Sequence, residues 1–385
     1  MRNKVLLGVT GGVAAYKSLE ILRLLIKRGI EVRVVITKGG ERFVTPFSFL
    51  SLGAKEVFTD SEQFSIVSGS SIHLSLSRWA DVILVAPATA DFIAKVSSGI
   101  SDTLLLTTLL AYKGEVIVAP SMNENMYLHP VTKRNIEILK SIGYKIIEPE
   151  VGALADLATG IGRLKDVEDI VEEVLVSLSE KKLLGKRVLV TAGATREFID
   201  PVRFISNASS GRMGFAFARV ARRLGAEVIL VCGAVKDKPP RVHKFIEVTT
   251  TEEMLKNIKD ELENCDILVM AAAPSDYRPK VPVREKLPKL DTLSLELVTT
   301  PDILKEVSIY KGNRIFIGFA LETTGLIEHA KRKLEEKNLD FIIANDIANI
   351  GSPAGKIILI DKSHNIEAYE GDKESIAYFV FSKIT

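Results

Sequence analysis

The stretch that decides the fold is KVLLGVTGGVAAYK at residues 4–17. Its apolar start, residues 4–9, leads through a glycine-rich turn into an amphipathic pattern that continues to residue 27. This is the pattern of a buried strand followed by a helix. Further strand-sized apolar runs, with helical patterns between them, lie at residues 31–36, 82–86, 115–119 and 144–147. The alternation predicts βαβ units around a parallel sheet that is buried on both faces.

The alternation stops in a charged stretch at residues 180–186 and restarts at residues 187–191. There a second strand pattern runs into a small-residue turn, TAGAT. Further patterns of strands and helices follow at residues 213–224, 227–232, 251–264, 266–271, 314–319, 325–337 and 341–345. We therefore predict an α/β protein of two Rossmann-like domains, residues 1–180 and residues 186–385. Prolines and basic residues at 275–293 predict a long loop over the second sheet.

Composition excludes several classes of function. The 385 residues contain 51 Lys and Arg against 49 Asp and Glu, so no broad positive field favours a nucleic-acid partner. No apolar run approaches the ~18–20 residues of a membrane span, and the N-terminus lacks a signal pattern. We expect a cytoplasmic protein. The two cysteines, Cys232 and Cys265, and the five histidines have no metal-binding spacing, so we expect no structural zinc and two buried thiols.

The glycine-rich turn of the first domain carries Gly11, Gly12 and Val13 between the first strand and the first helix. Backbone N–H groups at such a turn can hold a phosphate. The segment has neither Gly-x-Gly-x-x-Gly nor Walker A spacing. From the residues alone, a phosphate cradle and a merely tight turn both stay open.

Three other segments of the first domain carry polar groups near predicted strand ends. His73 precedes a helical pattern, and either a proton acceptor at neutral pH or a structural histidine fits it. The segments at 86–91 and 119–127 follow buried strands and carry small polar residues. Ligands of α/β sheets bind at the carboxyl ends of the strands, although small polar residues are also usual in ordinary turns.

In the second domain, residues 200–214 run polar and glycine-rich into a helical pattern. Their hydroxyls, amides and arginines suit a phosphorylated ligand. A capped helix start, with Ser209 or Ser210 as N-cap, is the simpler interpretation, and the two are compatible. Asp276 ends another strand, and the basic residues that follow it either form a site or are solvated: Lys280, Arg284, Lys286 and Lys289.

Together these segments resemble, in order and across nearly the whole chain, the bifunctional flavoproteins of coenzyme A biosynthesis. In that family a phosphopantothenoylcysteine decarboxylase is fused to a phosphopantothenate–cysteine ligase. The matching segments are residues 8–17, 73–81, 86–91, 120–127, 191–197, 200–214, 271–278, 285–286, 300–303, 318–323 and 345–346.

The resemblance implies that the first domain is a flavodoxin-like flavoprotein domain that binds FMN between the subunits of a trimer. His73 would take the substrate thiol proton, and Asn123 would hold the departing carboxylate. Met122 and Arg163 would contact substrate. The FMN contacts implied by the resemblance are Gly11, Gly12, Val13, Thr37, Thr89 and Ser101.

For the second domain the resemblance implies a ligase that uses CTP and Mg²⁺. The carboxylate of 4'-phosphopantothenate would become an acyl-cytidylate, which the amine of cysteine then attacks. Asn207, Arg203 and Lys286 match functional positions of the family. The nucleotide or pantothenate pocket would include Ala272, Asp276, Lys289 and Phe319. No protein metal site is implied, because CTP would carry the Mg²⁺. Ligases of this family dimerise. Together with trimers of the first domain, this implies a homo-oligomer that could be as large as a dodecamer.

One segment departs from the family. The decarboxylase flap there usually reads Ala-Cys-x-x-x-Gly-x-Gly-Arg-Met, and here Asp156 stands at the position of the cysteine. That cysteine protonates the enethiol in the family. Two outcomes follow: Asp156 acts as the acid, or the first domain stops at the oxidised enethiol, as the similar lantibiotic peptidyl-cysteine decarboxylases do.

Two other classes of function compete with a bifunctional enzyme. Some proteins similar to this decarboxylase are flavin-binding regulatory subunits, but they rely on acidic tails, and the C-terminal residues here are not an acidic run. An NAD-dependent dehydrogenase would fit two α/β domains, but the dinucleotide fingerprint is missing.

Overall fold

The computed structural model describes residues 2–67, 69–153, 159–289, 291–321, 325–345 and 354–384. Asp156 lies outside these ranges. The chain divides into two compact units, residues 1–179 and residues 180–385. No helix within the described ranges combines the length and the apolar character that a membrane span requires.

The first unit alternates strands and helices. Its strands are β1 (Lys4–Val9), β2 (Glu31–Ile36), β3 (Glu56–Thr59), β4 (Ile66–Val67), β5 (Ser70–Ser71), β6 (Val82–Ala88), β7 (Glu115–Pro120), β8 (Lys145–Ile146), β9 (Glu150–Ala153) and β10 (Thr159–Arg163). Its α-helices are α1 (Lys17–Lys27), α2 (Pro46–Ser51), α3 (Ile72–Trp79), α4 (Ala90–Ser97), α5 (Leu104–Ala111), α6 (Glu124–Leu128), α7 (Pro130–Ser141) and α8 (Val167–Leu178).

Six of these strands form one parallel sheet in the order β3-β2-β1-β6-β7-β8. Successive side chains of β1 point to opposite faces of the sheet. Because both faces are buried, the strand is apolar from Val5 onward. Val5 and Leu7 pack into the core layer that α1 and α8 cover, whereas Leu6 packs into the layer that α3, α4 and α5 cover, and all three are fully buried. Within the α/β class that the sequence predicts, this is the 3-2-1-4-5-6 order of Rossmann sheets rather than the 2-1-3-4-5 order of flavodoxin itself.

The second unit has the same beginning and a different end. Its strands are β11 (Arg187–Ala192), β12 (Arg196–Phe198), β13 (Phe204–Ser206), β14 (Glu227–Cys232), β15 (Lys244–Glu247), β16 (Ile267–Met270), β17 (Tyr277–Pro279), β18 (Leu297–Thr299), β19 (Ile315–Leu321), β20 (Phe341–Asn345), β21 (Ala354–Asp361) and β22 (Ile366–Asp372). Its helices are α9 (Arg212–Arg223), α10 (Thr251–Leu262), α11 (Ile303–Ser308), α12 (Leu326–Glu336) and α13 (Lys373–Ser382).

Its main sheet has eight strands in the order β15-β14-β11-β16-β19-β20-β21-β22. The first six are parallel, and the last two pair antiparallel. One core layer lies under α9 and α13, and the other lies under α10, α11 and α12. Both units are therefore Rossmann-like α/β structures, as predicted.

A 3-10 turn, Val13–Tyr16, lies between the glycine-rich turn and α1, so the first α-helix begins at Lys17. The predicted N-cap of the helix after residue 211 is wrong. The N-cap of α9 is Gly211, with φ +74°, and not Ser209 or Ser210. Gly211 is needed because a Cβ on it would overlap the side chain of Val235. The Ser209 hydroxyl accepts a hydrogen bond from the Gly211 N–H at 3.3 Å, so the serine supports the turn before the cap.

Candidate active sites

The first unit contains a cavity of about 680 Å³ at the carboxyl ends of β1, β6 and β7. The point between β1 and β6, where the strand order reverses, is where α/β sheets bind ligands. The glycine-rich turn, the start of α4, the loop after β7 and strand β10 supply the walls. Of the predicted residues, those that line it are Gly11, Gly12, Val13, Thr89, Met122, Asn123 and Arg163.

Gly11 and Gly12 have different reasons to be glycine. A Cβ on Gly11 would lie 2.8 Å from the backbone of Gly39, so packing between the two loops requires glycine there. Gly12 has an extended backbone, with φ −129°, and its nearest neighbour would be Thr89 Cγ2 at an ordinary 3.5 Å. The fold does not require glycine at position 12, whereas a ligand that approaches the turn backbone does.

Hydroxyl groups join the ends of β1 and β6. The Thr10 hydroxyl donates to the Pro87 carbonyl at 2.7 Å and accepts from the Thr89 N–H at 3.0 Å. Thr89 caps α4, because its Oγ1 accepts from the Phe92 N–H at 3.3 Å. These bonds hold the glycine-rich turn and the start of α4 in a fixed relation at the cavity.

The loop after β7 is bound to strand β10. Asn123 is the N-cap of α6, and its Oδ1 accepts from the Asn125 N–H at 2.9 Å. The Met122 N–H donates to the Gly162 carbonyl at 3.0 Å, and Glu124 Oε1 accepts from the Ile161 N–H at 3.1 Å. Gly162 has φ +141°, and a Cβ on it would overlap the Met122 carbonyl. This close packing places Arg163 at the cavity.

The charge of this cavity is positive. Lys17 and Arg163 are the charged residues along its described lining, which contains no carboxylate. An anionic ligand is therefore favoured. Sequence reasoning placed Lys17 in the motif without giving it a role, although its position at the end of the glycine-rich turn is a usable signal. Reasoning from sequence also missed Tyr16, Ser121 and Met126, which line the same cavity.

Three predicted residues of the first unit do not line this cavity. Thr37 supports the turn after β2, where its Oγ1 accepts from the Gly40 N–H at 3.2 Å and donates to the Val9 carbonyl at 3.3 Å. Ser101 is exposed before α5, and its carbonyl accepts from the Thr107 hydroxyl at 3.0 Å. His73 is half-buried in the first turn of α3. Because α3 precedes β6, its start lies toward the carboxyl edge of the sheet.

The second unit contains a cavity of about 480 Å³ beyond the ends of β16 and β19. The loop after β16, the end of β18 and the helices α11 and α12 form its walls. Ala272, Asp276 and Phe319 line it, as three of the predicted pocket residues. The lining also contains three lysines that sequence reasoning missed: Lys305, Lys333 and Lys337. For Lys333 and Lys337, the signal in the sequence is the basic face of the helical pattern at 325–337, which follows the strand pattern at 314–319.

Two of these lysines have defined partners. Lys337 forms an ion pair with Asp302, and Lys333 Nζ donates to the Phe319 carbonyl at 2.8 Å. Burial raises the pKa of Asp302, but Lys337 and the Lys305 N–H outweigh it and hold that pKa below its usual range. Asp302 is therefore ionised at neutral pH, and the lysines outnumber the acidic residues of the described lining, Asp276 and Asp302.

A buried polar network holds the loop after β16. The Ser275 N–H donates to Thr195 Oγ1 at 2.8 Å, and the Thr195 and Thr251 hydroxyls lie 2.9 Å apart. Glu197 Oε1 accepts from the Thr251 N–H and hydroxyl, both at 2.8 Å. The Ser275 carbonyl accepts from the Thr300 hydroxyl at 2.5 Å. The segment that carries Ala272 and Asp276 is thus fixed from several elements.

Asn207 contacts the same segment from outside the cavity. Its Nδ2 donates to the Pro274 carbonyl at 2.8 Å. Arg203, Lys286 and Lys289 do not line the described cavity. Arg203 binds Asp200 and the Leu287 carbonyl, and Lys286 and Lys289 are exposed on the loop after β17.

No group of three or more metal-binding side chains is present among the residues that the structure describes. Cys232 and Cys265 are buried free thiols. Burial raises the pKa of each to about 11.

Comparisons with known proteins cover both units. A family model described as "Flavoprotein" matches residues 1–179, and one described as "DNA/pantothenate metabolism flavoprotein C-terminal domain" matches residues 183–385. The chain is 43% identical to the coenzyme A biosynthesis bifunctional protein CoaBC of Bacillus subtilis over 359 residues, which are 91% of this chain and 87% of that protein. It is 37% identical to the CoaBC protein of Borreliella burgdorferi over 382 residues, 98% of this chain and 97% of the relative. A crystal structure of a CoaBC C-terminal domain is 39% identical, covers 53% of this chain and 96% of its own, and has a TM-score of 0.47.

Proposed function

The chain belongs to the family of coenzyme A biosynthesis bifunctional proteins, and from this premise we propose two activities for it. The first unit is an FMN-dependent phosphopantothenoylcysteine decarboxylase. The second unit is a CTP-dependent phosphopantothenate–cysteine ligase. The ligase forms the substrate that the decarboxylase uses, so the chain converts 4'-phosphopantothenate and cysteine into phosphopantetheine.

The observation that carries the proposal is the cavity at the β1–β6 switch point. Its glycine-rich turn leaves backbone accessible at Gly12, and Lys17 and Arg163 give it positive charge, with no carboxylate among those lining residues that the structure describes. A flavin mononucleotide needs these features, because its phosphate is anionic and is well held by backbone N–H groups and a helix start. Bound there, the flavin supplies the electron sink for oxidation of the substrate thiol end.

The protein residues of the first unit then position substrate and move a proton. The Asn123 amide orients the substrate carboxylate, and an amide does not titrate. Its position is set because Gly162 and Glu124 bind the loop after β7 to β10. His73 accepts the thiol proton, which suits an imidazole at neutral pH. His73 and Ser101 do not line the cavity of their own chain. We propose that a second copy supplies them, in the trimer that the family resemblance implies. Thr37 lies beside the cavity of its own chain, because its Oγ1 donates to the Val9 carbonyl at the end of β1.

In the second unit the lysine-rich cavity holds the triphosphate of CTP, and Mg²⁺ enters with the nucleotide. A carboxylate is a poor acceptor because of its own charge, so activation to an acyl-cytidylate needs cationic and dipolar groups at the developing charge. Asn207 lies beside the cavity wall and supplies a dipole. Lys286, on the loop after β17, supplies the cation, and dimers of this unit complete the assembly.

Asp156 is the proton donor that replaces the family's flap cysteine, because the first 231 residues contain no cysteine. The carboxyl group has to be protonated to serve as an acid. Asp156→Asn removes the proton and keeps the shape. We expect this variant to accumulate the oxidised enethiol, seen by mass spectrometry, while ligation continues. Unchanged thiol product would exclude Asp156 as the acid.

The experiment for the whole proposal identifies products. Purified protein is incubated with 4'-phosphopantothenate, cysteine, CTP and Mg²⁺, and the products are identified by mass spectrometry. Phosphopantetheine is expected. Phosphopantothenoylcysteine alone would mean a silent first unit, accumulated enethiol would mean a failure at reprotonation, and no product would overturn the assignment.

A further inference from the structure

Asp200 is a fully buried carboxylate in the turn between β12 and β13, and it accepts four hydrogen bonds. The N–H groups of Val202 and Arg203 each donate at 2.8 Å, and the Arg203 guanidinium donates at 2.9 Å. The fourth donor is the N–H of Leu287 at 3.2 Å, which comes from the loop after β17. Asp200 therefore joins two segments that lie more than 80 residues apart in sequence.

Arg203 also binds Leu287, through the carbonyl group rather than the N–H. Its Nη1 donates to the Leu287 carbonyl at 3.2 Å while it also binds Asp200. The N–H and the carbonyl of Leu287 are thus both held. A second attachment lies close by, because the Val283 N–H donates to the Ile199 carbonyl at 2.9 Å. The segment from Val283 to Leu287 is fixed at both ends, and Lys286 lies within it.

The hairpin that carries Asp200 also leads to the cavity wall. Strand β13 ends at Ser206, whose hydroxyl donates to the Thr195 carbonyl at 2.7 Å. The next residue is Asn207, whose amide donates to Pro274. One rigid hairpin therefore sets the Lys286 segment relative to Asn207 and the loop after β16.

We propose that Asp200 is a positioning residue for ligation, and that it acts through Arg203 and the Leu287 backbone to hold Lys286 in place. This inference rests on the proposed function of the second unit. It also gives Arg203 a different role from substrate contact, because its guanidinium is engaged by Asp200 and Leu287. Charge-assisted bonds of this kind are stronger than neutral ones, and an amide in place of the carboxylate cannot accept from both Leu287 and the guanidinium at full strength.

The first test needs no substrate. Trypsin cleaves after Lys286 only when its segment leaves the hairpin, so the rate of that cleavage in the native full-length protein reports the attachment. Asp200→Asn should speed cleavage after Lys286 by about 10-fold or more. The matched control is Asp361→Asn, because Asp361 holds the turn between β21 and β22 through the N–H groups of Ser363 and Asn365 in the same way. The control should leave cleavage after Lys286 unchanged.

The second test is a double-mutant cycle on ligation. Asp200→Asn should lower kcat by about 10-fold to 100-fold through misplacement of Lys286, with the KM for CTP unchanged. In a Lys286→Ala background it should cost little more, because the two residues act as one unit. Arg203→Gln keeps the turn bonds of Asp200 and removes the bond to the Leu287 carbonyl. It should shift cleavage and kcat in the same direction even if Asp200→Asn does not fold.

Each result decides the proposal. Cleavage and kcat equal to the Asp361→Asn control would overturn it, as would a full additional loss of rate in the Lys286→Ala background. A wild-type protein that forms no phosphopantothenoylcysteine would overturn the proposed function. The cleavage comparison would then still decide whether Asp200 holds the loop.

Discussion

In the first unit the cavity opens at the turn after β1, whereas in the second unit the described cavity opens further along the sheet, beyond β16 and β19. Both sheets have their first strand at the same place in the order. The turns after β1 and β11 are nevertheless used differently. In the first unit Gly12 lines the cavity, and in the second unit the turn at Gly193 is packed into the structure.

Contacts of Gly193 account for the difference. It has φ +77°, and a Cβ on it would lie 2.8 Å from the Ala234 carbonyl oxygen. Its own carbonyl accepts from the Ala273 N–H at 2.8 Å, and the Thr191 hydroxyl accepts from the Ala272 N–H at 3.0 Å. The turn thus supports the loop that forms the cavity wall. The turn after the first strand therefore lines the cavity in the first unit, whereas in the second unit it supports the loop that lines the cavity.

The largest effect that separates the two units is expected from His73→Asn. Loss of the proton acceptor should slow decarboxylation of supplied phosphopantothenoylcysteine by about 10²–10⁴-fold. Ligation should be unchanged, because His73 belongs to the first unit. The two rates are measured separately by mass spectrometry. His364→Asn, at an exposed turn of the second unit, is the control and should change neither rate, and equal loss of both activities in His73→Asn would contradict the separation.

Alanine substitutions at the two turns sharpen the comparison. Gly193→Ala should lower the free energy of unfolding of the second unit by about 1–3 kcal/mol, because a Cβ is strained at this φ and meets a backbone oxygen. Gly12→Ala should leave stability unchanged, because its backbone is extended and its Cβ has room. Urea unfolding measures both. Equal destabilisation would mean that both turns are structural.

The smallest effect concerns the thiols. A pKa of about 11 keeps Cys232 and Cys265 protonated at pH 8, and both are buried. A thiol reagent such as DTNB should therefore find no fast-reacting group in the native protein and two groups after unfolding. A fast-reacting thiol at pH 8 would contradict the burial of the two cysteines.

The sequence predicts the strands that are buried on both faces closely, because their β-branched runs are unambiguous. The predicted strand at 31–36 and the observed β2 (Glu31–Ile36) agree, as do the predicted strand at 227–232 and β14 (Glu227–Cys232). Short hairpins such as β12–β13 were not predicted, since half-exposed strands show no continuous apolar run. The antiparallel pair β21–β22 was also not predicted, although residues 357–360 of β21 form an apolar run.

Site residues divide in the same way. Gly11, Gly12 and Asn123 follow predicted strands directly, so the topology brings them together and the resemblance names them. Lys337 joins its cavity only through the packing of α12 against β19 and β20, and the Asp200–Leu287 contact spans two loops. Such contacts depend on long-range geometry, which local periodicity does not contain.

The most direct measurement of the central claim is a titration of three proteins with FMN and with CTP and Mg²⁺, by calorimetry after removal of bound flavin. The proteins are the wild type, Gly12→Val and Lys337→Met. Gly12→Val should weaken FMN binding and leave CTP binding unchanged, because its side chain takes space at the first cavity. Lys337→Met should weaken CTP binding by about 10-fold, as expected for a charged contact, and leave FMN binding unchanged. The assignment of the two cavities would be wrong if Gly12→Val weakened CTP binding or if Lys337→Met weakened FMN binding. It would also be wrong if neither variant weakened binding of the ligand assigned to its own unit.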